Sequence, residues 1–172
     1  MTDVPIWISI AASLASGLGG ILIGRLTMSK KERADVDQKN YENTVAATAN
    51  HDAAYKAYVD ALGAYARAAD PTFDEFLRLA SSGDSYFGQV SKMCDAILAG
   101  RANEGIRDAS WLPKIKAAFE RLLPAHYGAL QMQATKKGYR YTGELRRSDH
   151  ESIYAVVERY SGTDAWQRFH EG

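Results

Sequence analysis

The hydrophobic pattern of this chain falls into two regimes. From Val4 to Gly24 no side chain is charged, and apolar and small residues run together without a polar face. At about 1.5 Å per residue, a helix over this stretch is roughly 31 Å long, close to the roughly 30 Å hydrocarbon core of a bilayer. The pattern predicts a single transmembrane helix, with residues 1–28 as anchor and residues 29–172 as one helical domain. After the anchor the pattern becomes amphipathic with a period near 3.6.

The first amphipathic segment is long. Neither Gly nor Pro occurs from Arg25 to Leu62. Lys31–Asp35–Lys39 and Arg33–Asp37 are opposite charges four residues apart, which support a helix. Ser29-x-x-Glu32 has the form of a capping box, which restarts a helix after a break at Thr27–Met28. Sequence alone leaves open whether residues 1–28 and 29–69 are one continuous helix. Tyr41, Val45, Tyr55, Val59, Leu62, Ala66 and Ala69 form a stripe of 3–4 spacing, interrupted at Thr48 and Asp52 and widened by Tyr58 and Tyr65. The stripe predicts the face that enters the core.

Further elements follow from stop and start signals. Asp70-Pro71 ends the long helix, and Thr72-x-x-Glu75 caps the next. Ser81-Ser82-Gly83 predicts its end, with Asp84 starting a third helix whose face is Tyr86, Phe87, Val90, Met93, Cys94, Ile97 and Leu98. Gly100 is a natural helix stop. Residues 101–109 read as a loop, and Ser110 with Pro113 starts a helix through Ile115, Ala118, Phe119, Leu122 and Leu123. Pro124 kinks or restarts it, and the helix runs to Lys137-Gly138. A polar connection spans 139–147. Ser148-x-x-Glu151 reads as a capping box for Ile153, Tyr154, Val156, Val157 and Tyr160. Gly162 stops that helix, and Thr163 opens a short last one with Trp166 and Phe169. No segment alternates with period two. The predicted fold class is all-α: the anchor, then an irregular cytoplasmic bundle of about six helices.

Charge orients the anchor. Arg25, Lys30, Lys31, Arg33 and Lys39 follow it and nothing basic precedes it, so the positive-inside rule puts the N-terminus outside and the domain in the cytoplasm. Asp3 and the absence of a basic n-region argue for an uncleaved anchor over a signal peptide. Ala12, Ser16, Gly20 and Gly24 recur every four residues, a smooth ridge suited to helix–helix association in lipid. The expected partners are therefore the lipid bilayer, a second copy through this ridge, and an unidentified protein.

Composition narrows the chemistry. The 172 residues carry 21 Lys plus Arg and 21 Asp plus Glu, a formal net charge of zero, so there is no strong nucleic-acid signal. Cys94 is the only cysteine, which excludes an intrachain disulfide. His51, His126, His150 and His170 show no metal-ligand spacing, and neither a phosphate-binding loop nor a dinucleotide fingerprint is present. No catalytic residue, metal or cofactor is predicted. One basic segment stands out: Lys136, Lys137, Arg140, Arg146 and Arg147, interleaved with Tyr139 and Tyr141, suit contact with anionic headgroups or phosphate.

The pattern supports a membrane-anchored helical scaffold that recruits or assembles partners at the cytoplasmic face. An oligomeric effector whose spans perturb the bilayer is the first alternative. A membrane-bound enzyme is the second, which a cleft gathering His126, His150 and acids would favour.

Overall fold

The computed structural model describes residues 29–163. The chain divides into two compact units, Met1–Lys39 and Asn40–Gly172. Among the described residues the fold is all-helical, with about four helices and no strand.

In the first unit, the described residues form the start of helix α1 (Lys30–Arg67). The Ser29 box is present: the Ser29 N–H donates to Glu32 Oε2 at 2.7 Å, and the Glu32 N–H donates to Ser29 Oγ at 3.3 Å. Two of the amide donors left over at a helix start are thereby satisfied.

The second unit holds the core. Helix α2 (Phe73–Leu98) opens on the predicted Thr72–Glu75 box, and here both halves of the exchange are made. Its buried face comprises Phe76, Leu79, Gly83, Tyr86, Phe87, Val90, Met93, Cys94 and Ile97. The helix does not end at Ser81-Ser82-Gly83. Both serine hydroxyls bond back to carbonyls of the preceding turn, Ser81 to Arg78 and Ser82 to Leu79, so they stay compatible with helix. Gly83 faces inward and serves packing instead of termination. The predicted end comes seventeen residues late by design of the next glycine: Gly100, at φ +66°, lets Arg101 N–H reach the Ala96 carbonyl at 2.9 Å.

Residues 104–137 form one helical run, α3, where a loop and two helices were expected. Asn103 caps it, its side chain accepting from the Ile106 N–H. The run contains two wide turns of π type, Arg107–Trp111 and Ala118–Leu122. Each immediately precedes a Leu-Pro pair, Leu112-Pro113 and Leu123-Pro124. In a regular helix a proline ring collides with the carbonyl four residues back and supplies no N–H. One extra residue in the preceding turn removes that collision, so the helix passes both prolines without stopping. The run ends at Gly138, φ +69°.

A 3₁₀ turn (Arg147–His150) leads into α4 (Glu151–Tyr160). The expected Ser148–Glu151 box is not formed, because the 3₁₀ turn occupies its place and the Ser148 hydroxyl bonds to Asp149. Ile153 and Val156 of α4 are fully buried, and α4 packs mainly on α2. The count of about six helices is thus corrected to about four, chiefly because two expected breaks are absorbed within α2 and α3.

The expected localisation is also corrected. Among the described residues no helix is long and apolar enough to cross a membrane, so a single-pass topology with an external N-terminus and a cytoplasmic domain has no support in the structure. The two longest helices show why they fail: α1 carries charges throughout its first turns, and α2 carries Asp74, Glu75, Arg78, Asp84, Lys92 and Asp95. The Val4–Gly24 stretch, with the Ala12, Ser16, Gly20 and Gly24 ridge, lies outside the described residues, as do Trp166, Phe169 and His170.

Candidate functional site

The face that α1 turns to the core only partly matches the one its hydropathy points to: Tyr58 and Tyr65, which widen the stripe, are buried, and the stripe's centre is not. The buried residues are Thr44, His51, Tyr58 and Tyr65, spaced by sevens. Ala47, Ala54 and Ala61 lie between them, partly buried. At about 100° per residue, this face is rotated by roughly 60° from the Tyr41–Leu62 stripe. Small and amphipathic side chains win the core side because they let α2 and α3 approach closely, and because Thr44, His51 and Tyr58 each find a hydrogen-bond partner there.

Three contacts fix that rotation. Thr44 Oγ1 donates to the Asn40 carbonyl and accepts from the Asn103 N–H at 3.0 Å. The indole N–H of Trp111, a residue only 1% exposed, donates to Thr48 Oγ1 at 2.8 Å. Lys114 Nζ donates to Asp52 Oδ1 at 2.6 Å, and His51 Nδ1 lies 2.8 Å from the same oxygen. Burial raises the Asp52 carboxyl, but Lys114 and His51 outweigh it and hold the group below its ordinary value. Thr48 and Asp52, the two interruptions in the hydrophobic stripe, are therefore among the residues that tie α1 to α3.

The consequence is a strip of apolar surface beside the core. Tyr55, Val59 and Leu62 are 42%, 43% and 41% exposed, and Tyr41 and Val45 continue the line toward the start of the helix. The Tyr55 ring leans on Tyr86, with centroids 5.4 Å apart, while Val59 and Leu62 face outward. On the opposite flank of α1, a groove against α2 is lined by Ala57, Asp60, Ala61, Ala64, Arg78, Ser81 and Ser82.

In the basic segment, three of the five cations have acidic partners. Lys137 pairs with Asp70, Arg146 with Glu144 at 3.3 Å, and Arg147 with Glu158 at 2.5 Å. Arg147 also lies over the Tyr154 ring, 5.1 Å from its centroid. The two tyrosines belong to the aromatic packing: Tyr139 meets Phe73 and Phe76, and Tyr141 meets Phe76 edge-on. Lys136 and Arg140 are exposed.

His126 and His150 do come together, around Phe87 and Tyr127, but as core residues 3% and 6% exposed instead of cleft walls. Asp84 lies within electrostatic reach of His150. Among the described residues no group of three or more His, Cys, Asp or Glu side chains could hold a metal ion. Cys94 is fully buried, and burial pushes its thiol far above the ordinary range.

Compared with known proteins, the chain matches no family model, no curated protein and no solved structure.

Proposed function

We propose that the helical domain is a protein-interaction module that recruits a partner by docking an amphipathic helix of that partner along the Tyr55–Val59–Leu62 face of α1. One observation carries the reading. Three large apolar side chains in helical register are each about two-fifths exposed, on a helix whose core-facing side is already filled by other residues. A helix ligand reads such a surface through side chains at the same 3–4 spacing. The rigid hydrogen-bonded link to α3 through Thr48 and Asp52 holds the face in one orientation. Preorganisation of this kind lowers the entropic cost of binding.

A photo-crosslinking amino acid at Val59, with the same group at exposed Lys136 as control, tests the reading in cells. The expected result is a discrete adduct from position 59 that is absent from position 136. In a Leu62→Asp background the adduct disappears while far-ultraviolet circular dichroism is unchanged. Equal labelling from both positions, or an adduct that survives Leu62→Asp, overturns the proposal. An adduct of twice the chain mass assigns the face to a second copy of this chain and overturns the partner reading.

A further inference from the structure

Three histidines from three elements are buried around one adjacent aromatic pair of α2. The His51 ring lies 5.4 Å from Tyr86, His126 lies 5.4 Å from Phe87, and His150 lies 6.1 Å from Phe87, measured between centroids. Each histidine spends one ring nitrogen on a neighbour. His51 Nδ1 meets Asp52, His126 Nδ1 meets the Tyr58 hydroxyl at 3.1 Å, and His150 Nε2 meets the Tyr127 hydroxyl at 3.2 Å. The other nitrogens, His51 Nε2, His126 Nε2 and His150 Nδ1, are buried without a hydrogen-bond partner.

The three differ in what surrounds them. His51 has a carboxylate at hand in Asp52, whose same oxygen Lys114 contacts, with Tyr55 stacked parallel to the ring and Tyr86 tilted against it. His150 feels Asp149 beside it and Asp84 of α2, with Tyr127 of α3 on its Nε2. His126 meets no carboxylate. From α1 it faces Tyr58, from α2 Gly83 and Phe87, from its own helix Tyr127, and across the core His150. It is also the residue through which three helices touch: it belongs to α3, it bonds Tyr58 of α1, and its ring lies flush on Gly83 of α2.

We propose that His126 is an acid-operated latch: neutral, it fills the slot between Gly83 and Phe87 and ties α1 to α3 through Tyr58; protonated, it leaves the slot and releases α1. The argument is geometric. An imidazolium donates from both nitrogens. Nδ1 has the Tyr58 oxygen to donate to, but Nε2 lies against the Gly83 backbone with no acceptor. A charge there keeps neither water nor a counterion, and the quadrupole of the Phe87 ring offsets only part of that loss. The ring regains solvation only by withdrawing from Gly83, and Tyr58 loses its partner when it does. Burial, with His150 acting in the same direction, pulls the His126 value down to about 4, so the latch stays closed at neutral pH. Burial holds His150 below its ordinary value as well, with Asp149 and Asp84 opposing it, and a proton on His150 repels one on His126, which moves release to lower pH.

The test uses the full chain labelled with ¹³C at histidine Cε1. Imidazole signals are followed by NMR against pH, and amide hydrogen exchange of residues 55–65 is followed in parallel, corrected for intrinsic pH dependence. The expected result is a His126 transition well below 6.5, with exchange over 55–65 rising at least tenfold through the same interval while residues 90–97 of α2 keep their protection. His126→Gln keeps an acceptor for Tyr58 and takes no proton. It is expected to hold α1 closed at the pH where the wild type has released it. Titration of His126 near 6.5 without release of α1 overturns the proposal, as does release in His126→Gln at the wild-type pH. If that variant does not fold, the wild-type data decide alone: coincident midpoints for the ring and for α1 support the latch, and separate midpoints overturn it.

Discussion

Gly83 of α2 and His126 of α3 are in direct contact, backbone against ring. A Cβ placed on residue 83 would lie 2.1 Å from His126 Cε1 and 2.4 Å from Nε2, far inside any real carbon contact. Helix propensity alone favours Ala over Gly by about 1 kcal/mol in a helix interior. Here the ring is buried and held by Tyr58, so the clash wins. Gly83→Ala is expected to destabilise the fold by about 2 kcal/mol or more, in the range seen for overpacked cores. Urea denaturation of a double-mutant cycle checks the cause. In a His126→Ala background, the space is vacated and Gly83→Ala becomes neutral or stabilising. Equal costs in both backgrounds would refute the contact.

Tyr58 and Val59 are neighbours in sequence with opposite fates: Tyr58 is 4% exposed and Val59 43%. Tyr58 stacks on Tyr86, tilts against Phe87 and bonds His126. Tyr58→Ala should cost about 3–5 kcal/mol, as for other large buried aromatics. Val59→Ala should change stability by less than about 1 kcal/mol, because it removes exposed surface and gains helix propensity. Thermal unfolding of the two variants separates this rotation of α1 from the one its hydropathy suggests, in which Val59 is buried and its truncation is costly too.

Much of this was legible in the sequence, and the failures share a physical cause. Caps are local, and the Ser29–Glu32 and Thr72–Glu75 boxes form as read because their partners lie within one turn. The inward face of α2 is legible too, since Phe, Val, Met and Ile recur there at helical spacing. The rotation of α1 is not, because its core face is built from Thr, Ala, His and Tyr, whose burial depends on partners remote in sequence: Asn103, Trp111 and His126. The widening of the stripe by Tyr58 and Tyr65, and the spacing of Thr44, His51, Tyr58 and Tyr65 by sevens, are the sequence signals that mark it. Stop signals misled where tertiary contacts override them. Gly83 reads as a helix end but is the seat of His126; Pro113 reads as a helix start and Pro124 as a kink or restart, and both are accommodated by wide turns. The ion pairs of the basic segment with Asp70 and Glu158 are not legible either, because these partners come from elsewhere in the chain.

Cys94 is fully buried on α2, and burial raises its thiol well above the unfolded value near 9. The thiol is therefore protonated throughout the neutral range and shielded from reagents, and only the thiolate is a good nucleophile. Ellman's reagent is expected to leave the folded chain unreacted at pH 8 and to titrate one thiol per chain once urea has unfolded it. The sign of the linkage follows. A group whose folded value is raised contributes stability that is present below its unfolded value and lost as pH climbs above it, because the unfolded state releases the proton first. Cys94→Ala should therefore flatten the fall in stability above about pH 9, where the unfolded thiol ionises. Rapid modification of the folded chain would show that the site opens.

Trp111 and Thr48 supply the sharpest test of how α1 is held. The indole N–H has Thr48 Oγ1 as its partner, and the same hydroxyl donates to the Thr44 carbonyl at 2.8 Å. Thr48→Val keeps the shape and removes the oxygen, which strands a donor in a site 1% exposed. A stranded buried donor costs about 1–3 kcal/mol, more than the average net gain from making the bond. Thr48→Ser retains the hydroxyl and removes only a methyl group. The expected order of stability in urea is wild type, then Ser, then Val, with Val lower than Ser by about 1 kcal/mol or more. The indole N–H resonance of Trp111 should shift in Val and hold its position in Ser. Equal stabilities for the two variants would mean that α1 is positioned by packing alone, and that Thr48 interrupts the apolar stripe without anchoring it.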